Sequence, residues 1–206
     1  MTGLVGAELT KIRTLPAVWV ALAIALLANA AVRVARLDTL TLAPVYAFAA
    51  IAVLAAGSEY RAGQIRLSLI AVPGRDRFFA AKLLAIATVI PVAAVVVLLP
   101  RGAAAGRLLV VHLFFAMIGF GFALLARSIV IPITTLAALP ILISTTLGGI
   151  LPRFVRLLPH EAALSFLRTP AVPAFALRPT AGLLILAAWA LGLLAAAWLT
   201  VRTRDA

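Results

Sequence analysis

The chain of 206 residues is 65% hydrophobic and only 12% charged, with a formal net charge of +12 and a mean hydropathy of +1.20. Soluble domains carry about 25% charged residues, so this composition excludes an ordinary soluble fold and points to an integral membrane protein. The basic excess fits Lys and Arg flanking membrane spans beside anionic headgroups; no soluble basic domain is present to carry nucleic-acid binding.

The chain opens with "MTGLVGAELTKIRTLP". Projected at about 100° per residue, Leu4, Val5, Leu9, Ile12 and Leu15 fall in one arc of roughly 140°, with Arg13 opposite. Residues 1–15 are therefore expected to form an amphipathic helix on the membrane surface, ended at Pro16. Glu8 projects into the apolar arc, where an anion must snorkel or pair. Lys11, three residues on, is the simple partner. A partner from the 58–82 segment is the alternative. The first span lacks a small-residue cleavage site with a polar region behind it, so it reads as a retained helix.

Six charge-free intervals of 18 to 25 residues follow, at 14–32, 39–58, 83–100, 108–126, 128–152 and 179–201. A helix needs roughly 20 apolar residues to cross about 30 Å of hydrocarbon. The expected fold is all-α: one membrane domain over 1–206, with six transmembrane helices. The spans fall at about 16–33, 39–58, 80–100, 107–127, 129–151 and 180–201. Six spans put both termini on one side. Ten cations against eight favour the cytoplasm for that side only narrowly.

The connections differ. Residues 33–38 and 101–107 are short turns, and Arg127-Ser128 is a minimal link between antiparallel neighbours. Two segments are long. In the external one, 152–179, Pro159, Pro170 and Pro173 bound "HEAALSFLRT", which reads as an interfacial or re-entrant helix. Within the spans, Gly119 and Gly121 fit close helix contact. Thr134, Thr135, Ser144 and Thr145 concentrate in span five with Pro132 and Pro140. They suit interhelical hydrogen bonds or, alternatively, the lining of a kinked pathway helix.

No phosphate loop, H-E-x-x-H or Cys pair is present. The two histidines, His112 and His160, are expected a bilayer width from Gly57-Ser58, so no Ser–His nucleophile pair forms. The chain is therefore not expected to be an enzyme or to hold a metal or cofactor. Few polar and no acidic residues lie within the spans, which favours a hydrophobic or amphipathic cargo over a small cation.

The other long segment, "SEYRAGQIRLSLIAVPGRDRFFAAKLL", packs seven charges into twenty-four positions of an otherwise apolar chain. It predicts a helix over 59–72 with Ile65, Leu69 and Val72 on one face, a turn at Pro73-Gly74, and Asp76 capping the next span. The bland alternative, a solvated loop with snorkelling cations, leaves its length and apolar face without a reason. This stretch resembles the "E-Y-R-x-G-T-I-x-x-x-L-L-A-x-P-x-R-x-R-x-x-x-A-K" signature of bacterial ABC transporter permeases of the type-2 exporter class. "AELTKIRTLPAVWV", "GFGFALLARSIVIPIT" and "TVRTRDA" are similar to further stretches of that family, so the resemblance spans nearly the whole chain. Ala62 and Gln64 depart from the common His and Thr.

The resemblance implies that 58–79 is a cytoplasmic loop carrying a coupling helix that docks on a separate ATPase. Glu59, Arg61, Gly63, Arg66, Pro73, Arg75 and Arg77 would form it, while Glu8, Lys11 and Arg13 would place the amphipathic helix beside it. ATP and Mg would then sit on two copies of the partner ATPase. A second permease chain, identical or paralogous, would complete an export path in the bacterial inner membrane, both termini being cytoplasmic. The competing reading is a non-transporting polytopic protein that anchors or regulates a partner.

Overall fold

The computed structural model describes residues 1–35, 41–72, 74–170 and 172–203. Among them every regular element is helical: α1 Thr2–Thr14, α2 Pro16–Val34, α3 Ala43–Gly57, α4 Gln64–Ala71, α5 Arg75–Leu98, α6 Ala105–Ala126, α7 Val130–Ala138, α8 Ser144–Gly148, α9 Pro152–Val155, α10 Pro159–Leu167 and α11 Pro179–Thr203. Five stretches are long and apolar enough to cross a membrane: Pro16–Val34, Ala43–Tyr60, Arg75–Gly102, Ala105–Ala126 and Pro179–Thr203. At 1.5 Å per residue, the shortest of these reaches about 27 Å. The chain thus has the build of a helical, multi-pass membrane protein.

The expected fifth span, 129–151, is not one unbroken α-helix. It divides into α7, a π-helical turn at Leu139–Ile143, and α8. Pro140 lies in the break, and the cause is chemical. Proline offers no N–H to the carbonyl four residues back and its ring crowds that carbonyl, so the ladder there is rebuilt with a longer repeat. By contrast, Pro91 sits inside α5 without interrupting its 24 residues.

Helix α6 runs through the centre. A Cβ on Gly119 would stand 2.8 Å from the Ala49 carbonyl oxygen of α3, and one on Gly121 would stand 2.9 Å from the Leu193 backbone of α11. Both glycines therefore let neighbouring backbones close on α6, as their sequence context suggests. The fully buried Phe48, Phe115 and Phe120 fill the space around it.

Both long connections are structured. The segment after α3 forms a 3-10 turn over Ser58–Gly63 and then α4, so the helix expected over 59–72 begins as the tighter form. Ile65 and Val72 rest against the core, whereas Ile70 is 78% exposed. Asp76 does not cap α5. The cap position is Gly74, and the Asp76 carboxylate accepts instead from Trp198 Nε1 at 2.9 Å, with Arg202 Nε at 3.4 Å. The segment 152–179 holds α9 and α10, and α10 buries Glu161, Ala162, Ala163, Leu164 and Ser165 against the body of the protein. It ends at Arg168 in the left-handed conformation, φ 65°, with Thr169 N–H donating to the Leu164 carbonyl in a C-terminal cap.

Candidate functional site

Helix α1 sets Glu8 and Lys11 three residues apart on one side. The tight turn after α3 delivers Glu59, and α5 delivers Lys82 from its second turn. These four side chains close a ring. Lys11 Nζ donates to Glu8 Oε1 at 2.8 Å and to Glu59 Oε1 at 2.7 Å. Lys82 Nζ lies 2.8 Å from Glu8 Oε2 and 2.8 Å from Glu59 Oε1. Each lysine bridges both carboxylates and each carboxylate bridges both lysines, so the ring is electrically neutral.

Burial makes this ring costly to break. Lys82 is 2% exposed and Glu59 3%, while the Lys11 side chain stays about half exposed at 46%. An ion taken from water into a protein interior loses several kcal/mol of hydration, returned only when its partners and hydrogen bonds are in place. Lys82 Nζ also lies 5.1 Å from the centre of the Phe78 ring, which adds a cation–π contact. Burial pushes the Glu8 carboxyl up, but Lys82 and Lys11 together outweigh it and hold the group below its ordinary value. Burial likewise pushes Lys11 down, and its bonds to Glu59 and Glu8 reverse this and raise it. Among the described residues nothing donates to Glu59 Oε2, which is buried.

A cleft opens between α1 and α4 on either side of Lys11. One lobe, of about 400 Å³, is lined by Leu4, Ala7, Glu8, Lys11, Ser68, Val72, Phe78 and Ala81. The other, of about 350 Å³, is lined by Lys11, Thr14, Leu15, Ser58, Glu59, Gln64 and Ser68.

Of the residues singled out in the sequence, Glu8, Lys11 and Glu59 meet directly. Both candidate partners of Glu8, Lys11 and one from the 58–82 segment, are used at once. Arg75 is elsewhere: its Nη1 donates to the Val201 and Arg202 carbonyls at 3.2 and 3.0 Å, tying the start of α5 to the end of α11. Arg77 and Arg13 are exposed, and the Arg13 carbonyl accepts from Trp19 Nε1 at 2.8 Å. Pro73 and the side chains of Arg61, Gly63, Arg66 and Thr145 lie outside the described residues.

Lys82 is the member of the ring that sequence reasoning left out of the site. The signal was present: it closes the quoted signature and is the lone charge in the apolar run "FFAAKLLA".

A second buried polar group lies at the opposite end of the helices. Tyr46 Oη of α3 is 2.7 Å from His160 Nδ1 of α10, and the Tyr46 ring meets Phe115 edge-on. Next to His160, Glu161 is 3% exposed, and its Oε2 is without a partner among the described residues. Ser144 lies near enough to act on that carboxyl yet short of hydrogen-bond geometry. Burial lowers His160 to about 4 and raises Glu161. Elsewhere, at the far ends of α2 and α5, buried Asn29 donates to the Val97 carbonyl and accepts from Arg101 Nε, both at 2.8 Å. Among the described candidate pathway residues, Ser144 alone reaches the Tyr46–His160–Glu161 group. Thr134 is exposed and donates to the Val130 carbonyl of its own helix, and Thr135 is half-buried.

Comparison with protein families, characterised proteins and solved structures finds no match to this chain.

Proposed function

We propose that this chain is the membrane-spanning permease subunit of an ATP-driven ABC exporter, driven through the segment between α3 and α5. The observation that carries the reading is the four-charge ring. It fastens α1, the root of α4 and the second turn of α5 into one unit, so force applied at α4 passes into a long apolar helix without a loose joint. Helix α4 presents Gln64 and Ile70 outward, the surface a docking partner would meet. On this reading two ATPase subunits bind ATP and Mg, a second permease chain completes the path, and the membrane is the bacterial inner membrane.

The topology of a six-span permease has support of its own. Ile129, at the start of α7, lies against Gly57 near the ring, while Gly148 of α8 lies against Phe175 near the opposite polar group. On this reading the residues from Val130 to Gly148 make the sixth crossing, broken at the π turn. Arg75 holds the end of α11 beside the start of α5, the face that also holds α1. An even number of crossings accounts for that return, and cytoplasmic termini follow for an ATPase-coupled face.

The deciding experiment is purification of the tagged chain from its native membrane in mild detergent, with identification of co-purifying proteins. A stoichiometric ATPase, lost in a Glu59→Arg variant that still inserts at normal abundance, is expected. Recovery of the chain without any ATPase overturns the reading and returns the anchoring role. Normal ATP-driven export by Glu59→Arg removes the ring from the coupling path.

A further inference from the structure

Helix α10 has nine residues, too few to hold a helix in isolation, so its contacts with the rest of the protein keep it in place. On α11, Gly182 lets the two backbones close: a Cβ there would stand 2.5 Å from the Ala162 carbonyl oxygen and 3.0 Å from the Phe166 nitrogen. Tyr46 of α3 meets His160, and Ser165 Oγ accepts from the Leu177 N–H at 3.2 Å as the chain returns toward α11. This close-fitting seat takes Glu161 in with it, at 3% exposure.

Among the described residues no Lys or Arg pairs with Glu161. Its polar neighbours are the Tyr46 hydroxyl of α3, the Ser144 hydroxyl of α8 and His160 on α10 itself. On α6, Arg107 is exposed, and His112 is taken up by the Leu108 carbonyl and the Phe48 ring. Arg178, ahead of α11, is exposed, and Arg202 at the far end of α11 pairs with Asp76. Of the cations flanking α10, Arg153 and Arg168 are exposed and Arg156 is half-buried.

Two buried oxygens here, Glu161 Oε2 and Ser144 Oγ, are without partners among the described residues. One proton on the carboxyl answers both, because it cancels the charge and gives Glu161 a hydrogen to offer the hydroxyl. Without that proton, an anion with no opposite charge lies beneath α10. Burial accordingly raises the Glu161 carboxyl above its ordinary 4.5, against a smaller downward pull from Ser144.

We infer that Glu161 is a proton-operated catch: α10 sits closed on α3 and α11 while the carboxyl keeps its proton, and lifts when the proton is lost. The catch does not depend on the transport reading.

Hydrogen exchange of the full chain in nanodiscs tests it, at pH 5 and pH 8, with exchange times scaled for the intrinsic rate. Amides of residues 162–167 read the seat, and residues 115–120 in the buried centre of α6 serve as the reference. Protection of α10 relative to α6 is expected to fall from pH 5 to pH 8, by no more than tenfold per unit, the limit for one proton. His160 cannot produce that fall: burial lowers it, so its charging loosens the seat only toward acid. Glu161→Gln keeps the shape of the neutral carboxyl, and should match the unaltered chain at pH 5 and show no fall. A flat ratio in the unaltered chain overturns the proposal, and decides alone if the variant does not assemble. So does an equal fall in Glu161→Gln, or α6 losing protection in step with α10.

Discussion

The four-charge ring and the Tyr46–His160–Glu161 group sit at opposite ends of the same helices and are built on opposite principles. At one end, two carboxylates and two ammoniums share every charge. At the other, Tyr46, His160, Glu161 and Ser144 gather with no described cation among them, and burial drives His160 and Glu161 toward their neutral forms. The first arrangement gives every charge an opposite partner and fastens α1, the turn after α3 and α5 together. The second holds groups whose charge follows pH. The lesson is that burial alone does not make a polar group switchable; what matters is whether an opposite charge is buried with it.

Removing Lys82 is the most direct way to break the contrast. Lys82→Met leaves Glu8 and Glu59 facing one half-exposed lysine, and a loss of about 3–5 kcal/mol is expected for a buried pair deprived of one partner. Thermal unfolding in detergent measures it. Adding Glu8→Gln should recover much of the loss, since the surplus negative charge then disappears; no recovery would deny that the ring is a charge network.

Acid should act next most strongly, through the other group. His160 is held below its ordinary value of 6.5, to about 4, by burial. A depressed His favours the neutral folded form, so its contribution is full above pH 6.5 and fades as pH falls toward 4. Glu161 is raised from 4.5, and its contribution runs the other way: full below 4.5, fading as pH rises through its folded value. In a Glu161→Gln background, the part of the pH profile that a further His160→Asn change removes should be a loss of stability on the order of 2 kcal/mol between pH 6.5 and 4.5, allowing for partial exposure. A flat profile there would sink the assignment. Glu8, held low, should titrate only below this window.

Lys11→Met sharpens the comparison within the ring. Lys11 keeps access to water, so its loss should cost about 1 kcal/mol, well short of Lys82. Equal costs would mean that burial does not set the hierarchy. Smallest of all is Arg202→Ala, which removes an exposed ion pair with Asp76 and should move stability by less than about 1 kcal/mol.

Hydropathy made the helical class and the five long spans readable, because an apolar run of that length has few other folds. Glu8 inside an apolar arc announced a buried pair, and Lys11 followed from helical spacing. Lys82 was harder for a geometric reason. With the third span placed at about residue 80, that lysine falls at its rim, whereas α5 begins at Arg75 and carries Lys82 two turns inside. Asp76 had good capping chemistry but found Trp198 and Arg202, residues more than a hundred positions away, and no local rule anticipates such a competitor. The Tyr46–His160 contact, 114 residues apart, exists only once α10 folds back onto α3. Pro140 did signal trouble in the fifth span; that the helix would continue through a π turn was not in the residue itself.

The ring also sets a timetable for synthesis. Glu8 and Lys82 are 74 residues apart, and at 5–20 residues per second the ribosome needs about 4–15 s to supply the second after the first. For that interval Glu8 has only Lys11, so α1 must wait at the water interface while α2 and α3 insert. The clasp of Arg75 on the Val201 and Arg202 carbonyls closes only after the last helix is made. The protein's two ties between distant segments are thus made in order, the ring first and the clasp on α11 last.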